Sequence, residues 1–88
     1  MTAPVSLTEA KLFLRVEHGA EDGLIQTLID AARARVEGEV DLTLTSTSPA
    51  PLRLAILMLA LRAYERGEED MALAPVQAWI APYRVVRL

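Results

Sequence analysis

Apolar residues recur along the chain with helical spacing, and the recurrence divides it into four segments. Ser6-Leu7-Thr8-Glu9 has the form of a capping box, in which a Ser6 hydroxyl accepts from the Glu9 amide while Glu9 reaches back to the Ser6 amide. This predicts a first helix from Leu7 to about Val16, with Leu7, Ala10, Phe13 and Leu14 on its inner face. Glu17 to Ala20 reads as a turn. Glu21 and Asp22 then place negative charge at the start of a second helix, where the helix dipole favours it. That helix carries Leu24, Ile25, Leu28, Ile29, Ala32 and Val36 on one face and Gln26, Asp30, Arg33 and Glu37 on the other. The spacing of Asp30 to Arg33 and of Arg33 to Glu37 suits ion pairs worth a few tenths of a kcal/mol each. Gly38 is the expected stop.

From Val40 to Ser48 the period changes. Val40, Leu42 and Leu44 alternate with Asp41, Thr43 and Thr45, which predicts either an extended arm or short strand, or a solvated loop. Pro49-Ala50-Pro51 ends any extended run and opens a third helix with Pro51 at its first helical position. This helix has eight consecutive apolar residues, Leu54 to Leu61, between Arg53 and Arg62, and Gly67 is its expected end. It is too short to cross a membrane, which takes about 20 apolar residues. With no polar face it must either run through the middle of a bundle or lean on other subunits. A short fourth helix is expected from Val76 to Ala81, between Pro75 and Pro82, followed by the tail Tyr83-Arg84-Val85-Val86-Arg87-Leu88.

The predicted fold is therefore all-α: three main helices, a short C-terminal helix, an extended arm between the second and third, and an extended tail. Residues 1–82 would form the body and 83–88 a docking tail. Eighty-eight residues supply one modest core. That core is aliphatic, since the chain is 52% hydrophobic but only 5% aromatic.

Candidate chemistry adds little. A net charge of −3 is the wrong sign for a free-standing nucleic-acid binder. The apolar third helix is also unlike a recognition helix, which presents polar and basic groups to base edges. No cysteine is present, so disulfides, thiolate nucleophiles and cysteine-based zinc sites are out. His18 is a lone imidazole in an acidic turn, a poor start for a metal site. Glu68, Glu69 and Asp70 form an exposed charge run without an apolar pocket to raise a pKa. Ser46 and Ser48 lack a nucleophile-elbow context. A non-enzyme without cofactor or metal is expected. The N-terminal MTAPVSLTEAK has no basic region followed by an apolar run, so no export signal is expected. The tail, apolar and basic on an acidic protein, is either a frayed end or a peptide that orders on a partner.

Four stretches together resemble a known family. They are VSLTEAKLFLRV, the helix start EDGLIQTLIDAARARVEG, the Pro-Leu-Arg opening of a helix ending Ala63-Tyr64-Glu65-Arg66, and the closing Pro75-Val76-Gln77-Ala78-Trp79-Ile80-Ala81-Pro82-Tyr83-Arg84. The chain resembles the small head–tail connector, or adaptor, proteins of long-tailed bacteriophages and phage-derived gene transfer agents. It departs from their pattern in ending the second helix Glu37-Gly38-Glu39 rather than with a Thr-Gly-Arg-type turn. Longer members also carry a β-insert where only Val40 to Ser48 remains.

The resemblance implies a dodecameric ring beneath the portal protein that extends the DNA channel and meets a downstream neck protein. DNA would pass without specific binding, and no membrane is involved. The particle would be assembled in the bacterial cytoplasm and the protein would end in the neck. On this reading Trp79, Tyr83, Arg84, Val85, Val86, Arg87 and Leu88 contact the portal. Gln26, Asp30, Arg33, Glu37, Val40, Leu42 and Leu44 would line a subunit interface or the channel. The alternative is a small helical regulatory module that binds a single partner.

Overall fold

The computed structural model describes residues 3–67 and 71–84. Its helices are α1 (Leu7–Leu14), α2 (Asp22–Val40), α3 (Ala50–Arg66) and the short α4 (Gln77–Ile80), the last set between single 3₁₀ turns at Ala74–Val76 and Ala81–Tyr83. No strand is present among the described residues. The all-α bundle expected from the sequence is the fold.

The capping box forms at α1. The Glu9 amide donates to Ser6 Oγ at 3.1 Å and the Ser6 amide to Glu9 Oε1 at 3.0 Å. Helix α1 is shorter than expected, because Arg15 turns left-handed (φ 61°) and the Val16 amide closes onto the Lys11 carbonyl at 2.9 Å.

Helix α2 does not stop at Gly38. It runs on to Val40, and the left-handed residue is Asp41 (φ 56°), whose amide donates to the Glu37 carbonyl at 2.8 Å. The core explains the extension. Ile25, Ile29, Ala32, Val36 and Val40 form one buried stripe, and Val40 is fully buried. Burying a valine is worth about 1.5–3 kcal/mol, against about 1 kcal/mol for a glycine inside a helix. Burial wins, and the helix continues through the glycine.

The expected alternation across Val40, Leu42 and Leu44 is consequently no strand or extended arm. Val40 belongs to α2, Leu42 faces solvent, and Leu44 turns back into the core. Residues 41–49 form a loop with a tight turn, in which the Thr45 amide donates to Ser48 Oγ (2.8 Å) and the Ser48 amide to the Thr45 carbonyl (3.0 Å).

Pro49 caps α3, with Ala50 as the first helical residue and Pro51 the second. Gly67 ends it in the left-handed region (φ 67°) that glycine occupies without strain. Helices α2 and α3 run antiparallel as a hairpin, with the N-terminal turns of α2 beside the C-terminal turns of α3. Leu52, Ala55, Ile56, Leu59, Ala60 and Ala63 pack onto the α2 stripe. Helix α1 lies against both helices. Met71, Leu73, Val76 and Ile80 complete the core. Pro75 and Pro82 each lack the N–H that a longer helix needs, so the segment around α4 breaks into short turns.

Candidate interaction surfaces

The feature left over after the core is built is the outer side of α3. Its inner face is buried, while Leu54 is exposed and Leu57 and Leu61 are half-buried on the other side. The helix thus neither runs through the middle of the bundle nor has a polar face. It keeps an aliphatic ridge at the surface. Beside the first half of the ridge, half-buried Trp79 from α4 completes a shallow, largely apolar depression of about 420 Å³ with Pro51, Leu54 and Leu57.

The root of the C-terminal tail is fixed to the body. Trp79 and Tyr83, one helical turn apart, both pack against the core. The Arg84 guanidinium pairs with the Glu39 carboxylate at 2.6 Å, near the end of α2. Val85, Val86, Arg87 and Leu88 lie outside the described residues, as does the acidic run Glu68 to Asp70.

On the expected polar face of α2, Gln26 donates to Asp30 at 3.0 Å. Arg33 and Glu37 pair at 3.1 Å, and together they grip one residue of the α2–α3 loop. Arg33 Nη2 donates to the Leu44 carbonyl at 2.9 Å, and the Leu44 amide donates to Glu37 Oε2 at 2.7 Å. One donor and one acceptor thus serve the backbone of Leu44 as a neighbouring strand would. These two side chains hold their own subunit together, a role the sequence analysis missed. Val40 and Leu44, expected to face outward with Leu42, are in the core, and Leu42 alone of the three is exposed.

At the other end of the hairpin, Leu24, Thr27, Leu28 and Ala31 of α2 and Ala63, Tyr64, Gly67 and Met71 border an apolar groove of about 380 Å³. Tyr64 donates its phenolic proton to Glu21 at 2.5 Å, tying α3 to the start of α2. That hydrogen bond, with partial desolvation and the Glu21 charge, raises the tyrosine pKa above its ordinary 10.0. The pairing joins residues 43 apart in sequence, and no local spacing signals it. His18 Nδ1 accepts from the Ala20 amide at 3.3 Å, a turn-forming contact. No group of three or more potential metal ligands and no helix long and apolar enough to cross a membrane occurs among the described residues.

A small helical bundle with an aliphatic ridge left at its surface carries a face of the kind that protein contacts use. Comparison with known proteins agrees. The family described as phage gp6-like head-tail connector protein matches residues 4–77, and the chain belongs to that family. The match spans all three long helices and stops short of Trp79 and the tail. No curated protein and no solved structure matches the chain. The protein is thus a structural connector component of a phage-like particle.

Proposed function

We propose that the chain forms a dodecameric ring beneath the portal protein, lengthening the DNA channel and offering its far side to the next neck protein. The observation that carries this reading is the aliphatic ridge of α3, surface-facing on a chain of the connector family. A ring is built from heterologous contacts, in which one patch of each subunit meets a different patch of the next. An apolar ridge on so small a domain is a natural source of one such patch.

In this reading Tyr83 to Leu88 dock on the portal, starting from a root that Trp79 and the Arg84–Glu39 pair hold in place. Gln26 and Asp30, with Arg33 and Glu37 behind them, border the subunit interface or the channel. The net charge of −3 lets DNA slide rather than bind, since backbone affinity comes from clustered lysine and arginine. Assembly takes place in the bacterial cytoplasm and the finished ring sits in the particle's neck.

Light scattering tests this on the purified chain, alone and mixed with the portal protein encoded beside it. The expected result is a ring-sized complex with about one chain per portal subunit, as matched cyclic symmetry requires. A stable monomer or dimer that ignores the portal would refute it. Within that experiment, removing residues 83–88 should abolish portal binding while leaving helix content unchanged.

A further inference from the structure

Along one line of helix α3, Ala50 and Leu54 are exposed and Leu57 and Leu61 half-buried, with half-buried Tyr64 closing the row; Leu57 and Tyr64 also pack against the core. The steps are 4, 3, 4 and 3 residues, the spacing of a coiled-coil seam. Helix α2 carries a second row of the same kind. Leu24, Thr27, Ala31, Ala34 and Gly38 are all exposed, at steps of 3, 4, 3 and 4, and the first three border the groove beside Tyr64. One row is bulky and the other is small in its central and C-terminal parts. Each runs over 15 residues, about 21 Å of helix from end to end. Within one subunit the ends of the rows approach each other where Tyr64 borders the groove lined by Leu24, Thr27 and Ala31, while Leu54 and Ala34 stay exposed.

Gly38 points the same way. Its backbone is helical, and a Cβ built there would meet nothing within 4 Å. Neither the packing nor the conformation of the subunit calls for glycine at this site. Close approach of another backbone is one use that glycine serves.

We infer that the occupant of each seam is a second copy of this chain, with the α3 ridge of one subunit packed antiparallel into the α2 seam of the next. Reading α2 backwards reproduces the 4-3-4-3 steps of α3. Ala50 then meets Gly38, Leu54 meets Ala34, Leu57 meets Ala31 and Leu61 meets Thr27. Each leucine faces a smaller residue, as interdigitating layers require. The direction follows from symmetry. Within a subunit α2 and α3 are antiparallel, so rotating one copy onto the next about an axis along the helices leaves α3 of one antiparallel to α2 of its neighbour. The inference rests on the ring reading and supplies the subunit contact that reading needs.

The chain has no cysteine, so pairs of introduced ones report contact without background. Ala34→Cys and Leu54→Cys change exposed positions. Mixed and oxidised on the portal ring, they should form a crosslinked heterodimer, and neither variant alone should crosslink. Thr27→Cys should crosslink with Leu61→Cys but not with Leu54→Cys, because Thr27 lies about 10 Å along α2 from Ala34. Circular dichroism of each variant checks that the helices are intact. Self-crosslinking of either single variant would show a two-fold contact and overturn the inference. A ring of the expected mass with no A34C–L54C crosslink would overturn the inference and leave the ring standing. No assembly by the wild-type chain, alone or with portal, would overturn both.

Discussion

Gly38→Ala separates the stability of the subunit from the needs of its assembly. Gly38 lies inside α2, two residues before its last residue Val40, and an added methyl meets nothing within 4 Å. The folded subunit therefore accepts the methyl without strain, while the unfolded chain loses conformational freedom. A helical glycine costs roughly 0.5–1 kcal/mol relative to alanine. For a chain of this length, 1 kcal/mol corresponds to a Tm shift of about 4–8 °C. The isolated monomer should therefore gain a Tm increase on the order of 2–8 °C and a higher urea midpoint with an unchanged m-value. Thermal and urea unfolding at a concentration where the chain is monomeric reads this directly. If Gly38→Ala lowers the midpoint, the glycine is needed by the subunit's own fold. The account of α2 continuing through it only because Val40 is buried would then fail.

Leu44→Ala tests the loop from the other side. Leu44 is 1% exposed, and truncating such a leucine costs about 2–5 kcal/mol, a large fraction of the 5–15 kcal/mol typical of a whole domain. A loss below about 1 kcal/mol in urea titration would mean that residues 41–49 are not docked as described. Tyr64→Phe removes the proton donated to Glu21 and should lower the urea midpoint at neutral pH. Since the folded-state pKa lies above the unfolded value of 10.0, the wild-type advantage is fully present below pH 10 and declines as pH rises from there through the folded pKa. An advantage that stays constant through that range would show that the phenolic proton does not stabilise the fold.

Where sequence alone succeeded, the determinants were local. Ser6 and Glu9 cap α1, Gly67 ends α3, and the α2 stripe is a periodic pattern within one segment, except that Leu24, expected on the stripe, is exposed. It failed where a distant contact outweighed a local preference. Gly38 is a reasonable helix stop until Val40 is seen to have a core to fill. Val40, Leu42 and Leu44 alternate in a line of text, but one ends a helix, one faces solvent and one plugs the core. Arg33 and Glu37 were visible as a helix-surface ion pair, while their hold on Leu44 depends on how the loop folds back. The apolar excess of α3 was legible as a need for cover. Only the packed structure shows which side the subunit covers itself, leaving Leu54, Leu57 and Leu61 outward. Trp79 was marked as the anchor of the tail and Tyr83 as its first docking residue; the structure packs both on the core.

The grip of Arg33 and Glu37 on Leu44 has a further consequence for the chain's design. Beyond that anchor, the loop is closed by a turn of its own, with Ser46 and Thr47 exposed at its tip. The hairpin is thus registered before the turn begins, and the tip is free to vary in length. Doubling a flexible loop adds only about 0.6 kcal/mol of closure entropy. Whatever is spliced between Thr45 and Ser48 inherits a fixed starting point on a finished helical frame, so this loop is the slot where the fold can accept new sequence without being rebuilt.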